Sequence, residues 1–232
     1  IKGKIMGKNV VEKIDDSVKI KTILISVSDK SGLETLIPGL LEANPKILIL
    51  STGGTYGKIK EILGHKADAC LKQVSDYTGQ PETQGGLVKT LDFKIYLGLL
   101  TETYNNAHQE DLKRVDALAI DMVVVNLYPF SETIAKKGVS LEDARGNIDI
   151  GGPTMIRASA KNFIRVASVV EPSSYSEILE KLKANKGSLS LEDRFGLAQK
   201  AFEHTATYDR AISRYLAAKP AGDIKSCYKS GE

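Results

Sequence analysis

The chain has no tryptophan, only two cysteines and little excess of either charge, and each shortage closes off a class of function. Across 232 residues the net charge is +3. No dense basic block stands out, so a nucleic-acid partner is not expected. Cys70 and Cys227 lie far apart with no metal-like spacing. They read as reduced thiols of a cytosolic, cytoplasmic protein, and no metal site is expected. No apolar run approaches the roughly 20 residues that span a bilayer, so no membrane partner is expected either. The opening segment IKGKIMGKNVVEKIDDSVKIK, residues 1–21, lacks a signal-type apolar core and reads as a solvated N-terminal extension. Internal repeats and low-complexity linkers are missing too. What remains is an ordinary globular composition, 42% hydrophobic and 26% charged, sufficient for a sizeable core.

Apolar runs alternate with helical patterns. Ile23–Ser28, Ile47–Ser51, Ile95–Leu100, Met122–Tyr128 and Val166–Glu171 read as strands. Between them SGLETLIPGLLEA, TYGKIKEIL (closed by Gly64) and AHQEDLKRVDALAI have helical spacing. SSYSEILEKLKAN and a long helix from about Ser190 to Ala218 follow, and residues 219–232 form a polar, loose tail. Near-continuous apolar strands alternating with helices predict an α/β fold: a three-layer, mostly parallel sheet with helices on both faces. Residues 22–218 are expected to form one domain.

Ligands in such folds sit beyond the carboxyl ends of the strands. The first strand ends in Ser28, Asp29 and Lys30. The second ends in STGGT, which opens a helix with Thr52, Gly53, Gly54 and Thr55. Glycines at a strand-to-helix turn let backbone N–H groups approach an anion at the helix N-terminus, so two such turns could face one phosphate. The plainer reading of STGGT is a tight turn with Thr55 as a cap. Lys89 and Thr90 lie in a Gly-rich approach, where a lysine is either solvated surface or part of a site. Asn126 and Tyr128 end the Met122–Tyr128 run. Asn126 can read donors and acceptors and Tyr128 can pack on a planar ring, or Tyr128 simply fills the core rim ahead of Pro129. In NIDIGGPTMIRASAKN, Asp149 precedes Ile150 and Gly151 at a helix start, with Pro153 suited to the first turn. Asp149 is there either a cap or a site group. Lys161 stands about three turns on, and spacing leaves open whether it shares a side with Asp149.

The motifs ISVSDKSGL, STGGT, SDYTGQPE, GLVKTL, VVVNLYPF, NIDIGGPTMIRASAKN and KAFEHTATYD occur in that order. Over roughly Thr22 to Leu216 the chain resembles the inosine monophosphate cyclohydrolase domains, the N-terminal half of a bifunctional purine-biosynthesis family, whose fold is like that of methylglyoxal synthase. The family's formyltransferase domain is not in this sequence. The resemblance implies closure of the purine ring of 5-formamidoimidazole-4-carboxamide ribonucleotide to inosine monophosphate and water, with no cofactor. It also implies a homodimer and the possibility of a formyltransferase on a separate chain. Carried over, Ser28, Asp29, Lys30 and Thr52 to Thr55 hold the phosphate. Lys89, beside Thr90, stabilises developing negative charge. Val125 and Asn126 face the base, with Tyr128 next to them. Asp149, Ile150 and Gly151 contact the base, and Lys161 exchanges protons. The pattern departs at Leu87, in place of an arginine, and at Asp92, Phe93 and Tyr96, in place of a His-Pro pair and a second histidine. A nucleotide-binding or regulatory module with impaired catalysis is the alternative those departures suggest. Methylglyoxal synthase itself is disfavoured, because its acid and histidine motifs are missing, and a purely structural dimerisation domain is the third reading.

Overall fold

The computed structural model describes residues 10–81 and 89–229. A short strand β1 (Ser17–Lys19) leads into β2 (Thr22–Val27), helix α1 (Leu33–Ala43) and β3 (Leu48–Ser51). Helices α2 (Gly53–Leu63) and α3 (Ala67–Cys70) precede β4 (Leu71–Gln73), which runs into α4 (Val74–Thr78). Next come α5 (Phe93–Leu100), α6 (Asn106–Arg114), β5 (Met122–Asn126), α7 (Phe130–Ala135), α8 (Leu141–Gly146) and α9 (Gly151–Lys161). Then follow β6 (Ala167–Val169), α10 (Tyr175–Ala184), β7 (Ser188–Ser190), α11 (Leu191–Ala217) and α12 (Ala221–Cys227).

Five strands form one parallel sheet in the order β4-β3-β2-β5-β6. Alternate residues of each strand point to opposite faces, so one sheet seeds two cores. Ile23, Ile25, Met122 and Val124 meet α1, α2 and α10 through Leu36, Leu40, Ile59 and Ile178. Leu24, Leu50, Val123 and Val125 meet α5, α9 and α11 through Ile95, Leu99, Ile156 and Ala201. Each such side chain, fully buried, stabilises by about 1.5–3 kcal/mol relative to exposure. The three layers expected from the strand and helix alternation are present.

Several expectations give way. Ile95–Leu100 is not a strand but most of α5. A six-residue apolar run fits a buried helix as well as a buried strand. Two local devices decide it: the Asp92 carboxylate caps the helix by accepting from Lys94 N–H at 2.7 Å, and Gly98 brings its backbone against the Leu118 carbonyl. The helix expected after it stops at Arg114. β4, unmarked in the sequence, extends the sheet beside β3. Residues 1–21 were expected to be solvated, yet Ser17–Lys19 pairs antiparallel with β7 and Ile20 is buried. The folded unit therefore begins ahead of Thr22. The tail contains α12, and the Tyr228 hydroxyl donates to the Glu142 carboxylate on α8. Among the described residues no helix is long and apolar enough to cross a membrane.

Candidate active site

The crossovers from β2 and β3 carry α1 and α2 to one face, whereas α9, after β5, packs on the other. The adjacent strands β2 and β5 thus send their helices apart, and a crevice opens at their carboxyl ends. A cavity of about 480 Å³ occupies it.

One end of the cavity is built for an anion. α2 starts at Gly53 directly after β3, with Gly53 at φ +45°, a conformation glycine adopts without strain. A Cβ on Gly53 would stand 3.1 Å from the Lys89 amine, and one on Gly54 would stand 3.9 Å from the Lys30 amine. Two ammonium groups therefore crowd the positive end of a helix, an arrangement that favours an anion between them. Among the described residues neither amine forms an ion pair with a carboxylate. Thr52 and Ser26 share a hydroxyl hydrogen bond of 3.1 Å on the cavity wall.

Two of the expected ligand contacts, Thr55 and Asn126, line the cavity and also brace its wall. The Thr55 hydroxyl donates to the Val27 carbonyl at 3.0 Å and accepts from the Val27 N–H at 3.1 Å, tying α2 to β2. It is not the helix cap; Thr52 holds that position. Asn126 accepts from the N–H groups of Ser28 and Asp29 at 2.7 and 2.9 Å and donates to the Asp29 carbonyl at 2.8 Å. Its amide shapes the Ser28–Asp29 turn, which sets the wall beside Val125. Asp29 faces outward, where its carboxylate accepts from the Ser31 hydroxyl and N–H, and those bonds hold it below the usual carboxylate range.

The other end is built around Asp149. Its Oδ1 accepts from the Gly152 N–H at 2.9 Å. Burial pushes the Asp149 carboxyl above its ordinary range, opposed by the backbone N–H groups of Gly152, Tyr128 and Gly151. A carboxylate held in that way sits closer to the pH at which it can exchange a proton. Both readings of Asp149 thus coexist: it caps the first turn of α9 and lines the cavity. Tyr128 and Ile150 stand at the rim, 55% and 60% exposed.

The paired glycines of α9 provide space. A Cβ on Gly151 would stand 2.9 Å from the Thr90 hydroxyl, and one on Gly152 would stand 2.5 Å from Asp149 Oδ2 and 2.6 Å from Leu127 Cδ2. Gly152→Ala is therefore expected to displace the carboxylate, lowering ligand-dependent activity at least tenfold while destabilising the fold by about 1–3 kcal/mol. Gly57→Ala, inside α2 with nothing near its Cβ position, is the matched control. It should raise stability by about 0.5–1 kcal/mol. Parallel denaturation and activity measurements check both signs.

Lys161 does not join this cavity. It is exposed at the last position of α9, and ten residues of regular helix carry it about 15 Å from Gly151. Leu87 lies outside the described residues. Asp92 caps α5, and Phe93 is exposed. Burial pushes the Tyr96 phenol up to about 12, with Asp149 adding to the rise and the Thr154 hydroxyl opposing it. The wall also includes Ser26, Asn147, Ile148 and Met155, which the sequence reading did not single out. Asn147 and Ile148 belong to the NIDIGG stretch and were within its reach; Ser26 carried only the alternation of β2 as a signal. Among the described residues no group of three or more His, Cys, Asp or Glu could hold a metal ion.

Comparison with known proteins follows the same division of the chain. The model of the MGS-like domain family matches residues 35–154, and that of the AICARFT/IMPCHase bienzyme family matches residues 159–230. The bifunctional purine biosynthesis protein PurH of Acetivibrio thermocellus is 47% identical over 199 residues, covering 85% of this chain and 37% of that protein. The chain thus spans little more than a third of that curated relative. Among solved structures, the crystal structure of ForH superposes with a TM-score of 0.73 at 30% identity, covering 85% of this chain and 97% of that one. The chain belongs to the MGS-like domain family, with a similarity that continues past that domain into the AICARFT/IMPCHase bienzyme family.

Proposed function

We propose that this chain is an inosine monophosphate cyclohydrolase, closing the purine ring of 5-formamidoimidazole-4-carboxamide ribonucleotide. The observation that carries the reading is the division of one cavity into a dicationic helix N-terminus and a half-buried carboxylate. A ribonucleotide has the matching ends, a phosphate and a polar planar base. Its kinship with a bifunctional purine-biosynthesis protein supports the same reading.

The chemistry needs little more than this. The carboxamide nitrogen bonds to the formyl carbon. The formyl oxygen departs as water with one proton from that nitrogen and one from the formamide nitrogen. Both reacting groups are on one substrate, so holding it in a closed conformation removes much of the barrier. Asp149 relays a proton from nitrogen to the departing oxygen. Lys89, adjacent to Thr90 on the wall between the two ends, stabilises negative charge on that oxygen, and Tyr128 covers the base. Lys30, Ser28 and the α2 N-terminus hold the phosphate. Lys161 has no part in the step as it runs inside one chain. The setting would be cytoplasmic, with a second copy of the chain as partner in a homodimer.

Calorimetric titration with inosine monophosphate in excess chelator tests the binding half of the reading. Undiminished affinity is expected, because helix N–H groups and two lysines hold a phosphate unaided. Loss of binding on chelation counts against it. Optical assay of ring closure tests the other half. Binding without turnover would make the chain a nucleotide-binding module instead.

A further inference from the structure

α11 reaches the site from behind. Its Tyr208 does not line the cavity, yet its hydroxyl accepts from the Asp149 N–H at 2.7 Å and points its own proton at the Asn147 carbonyl, 3.5 Å away. Both partners are main-chain atoms of the segment that forms the carboxylate end of the wall. The Tyr208 ring is in turn packed edge-on by Phe130, with centroids 6.3 Å apart. Phe130 is 1% exposed, and its N–H donates to the Tyr128 carbonyl at 2.8 Å. One side chain of α11 thus touches the Asp149 segment through its oxygen and the Tyr128 turn through its ring.

We infer that Tyr208 is a positioning residue: its hydroxyl fixes the main chain at Asp149 so that the Asp149 carboxylate stays turned into the cavity. Asn147 is already held to the end of α8, by its N–H to the Ala144 carbonyl at 3.2 Å and its side-chain amide to the Asp143 carbonyl at 2.8 Å, so the anchor in question is the one at Asp149. The N–H groups of Gly152, Tyr128 and Gly151 meet the Asp149 carboxylate, but they act on the side chain and not on the peptide ahead of it, whose N–H goes to Tyr208. Ile148 N–H bonds back to Arg145 within the end of α8 and leaves the next peptide untied. Without the phenol oxygen, the Asp149 N–H loses its partner, and the segment gains freedom at the residue whose orientation matters for proton transfer. Because the anion end is built from β2, β3 and their turns, it should not feel this loss. The role bears on catalysis only if the cyclohydrolase reading holds, so the test has an arm that does not need it.

Tyr208→Phe keeps the ring against Phe130 and removes only the hydroxyl. The first arm is amide hydrogen exchange by NMR on ligand-free protein. Exchange at Asp149 should become at least tenfold faster, with core amides of β2 and β5 unchanged; an unchanged Asp149 amide overturns the inference whatever the enzyme does. The second arm is kinetic. Turnover by Tyr208→Phe should fall about tenfold while inosine monophosphate affinity stays within about twofold, a split that general loss of stability does not produce. In the Asp149→Asn background, Tyr208→Phe should add nothing further, since the two act as one unit. Independent, multiplying losses overturn the positioning role. Faster Asp149 exchange in Tyr208→Phe, together with no turnover by the wild type, would sink the cyclohydrolase reading and leave Tyr208 as the anchor of that segment.

Discussion

Asp149→Asn should lower ring-closing turnover by about 10²–10⁴-fold without lowering the stability of the fold. The first half follows from the proposed role, because asparagine cannot accept the proton that Asp149 is proposed to relay. The second follows from linkage. Burial raises the Asp149 pKa in the folded chain, so the folded state binds more protons than the unfolded state above the ordinary carboxyl range. Stability from this group is therefore lost, not gained, as pH rises through that window, and at neutral pH the charged form is a liability. Asparagine keeps an acceptor for the Gly152 N–H and carries no charge to desolvate. Its unfolding midpoint at neutral pH should equal or exceed that of the wild type. The wild-type rate should also fall as pH drops through the raised Asp149 pKa, so the acidic limb of the profile lies above the ordinary aspartate value. A mutant with near-normal turnover, or a wild-type limb at or below that ordinary value, would remove Asp149 from the proton path. Lys89→Ala should cost turnover as well, but with weaker binding, because the Lys89 amine also borders the anion end beside Gly53.

Much of this arrangement was legible in the residues, and what was not has physical causes. β2, β3 and β5 announced themselves because strands buried on both faces leave no polar alternation. α11 did so through a long periodic run and a Ser190 capping box with Asp193. Ile95–Leu100 misled because six apolar residues carry no period that separates strand from helix, and the deciding contacts, Asp92 to Lys94 and Gly98 against Leu118, depend on the folded surroundings. Ser17–Lys19 looked like extension because its partner, Ser188–Ser190, lies about 170 residues away, a separation that local pattern cannot see. The glycines of STGGT and DIGG pointed to the two stretches that line the cavity. The polar side chains near them could not be divided by sequence into braces and ligand groups. Thr55 and Asn126 have the same chemistry whether they bond to a ligand or to the end of β2, and only the geometry of the turn shows that they brace that end while lining the cavity. Lys161 was bounded by spacing alone. A regular α9 takes it out of the cavity.

The site rests on a second polar cluster at the opposite, amino-terminal end of the sheet, and breaking it should cost more stability than any change near the cavity. Arg165 is buried, and all three of its guanidinium nitrogens donate. Its guanidinium donates to Asp121 Oδ1 at 3.0 Å and to the carbonyls of Thr101, Gly98 and Ile120 at 2.9, 2.5 and 3.0 Å. Asn162 adds bonds to the Leu99 and Thr101 carbonyls, both at 2.8 Å. Gly98 and Leu99 are among the last residues of α5, whose terminal carbonyls have no partner within the helix, so Arg165 and Asn162 serve as its C-cap. Asp121 Oδ2 accepts from the N–H groups of Lys21 and Thr22, which seats the start of β2. Arg165→Met keeps the aliphatic stem but leaves the buried Asp121 carboxylate without its countercharge and takes a donor from each of the Gly98, Thr101 and Ile120 carbonyls. A loss of about 3–5 kcal/mol is expected, a large share of the roughly 5–15 kcal/mol that holds a domain together. The pH dependence gives a second, sharper signature. In the intact chain burial pushes Asp121 up and Arg165 pulls it down. Removing Arg165 leaves burial opposed only by the Lys21 and Thr22 N–H groups and the Lys21 charge, so the folded-state pKa rises further and the folded mutant binds its proton at higher pH than the unfolded one. The deficit of Arg165→Met should therefore shrink as pH falls through that raised value. Adding Asp121→Asn should recover part of the loss at neutral pH, because it removes the unpaired charge. Urea denaturation of the two single mutants and the double mutant, at neutral and mildly acidic pH, measures all of this. A deficit that does not change with pH, or a double mutant as unstable as the sum of the singles, would mean that the guanidinium stabilises the fold by capping α5 alone and not by neutralising Asp121.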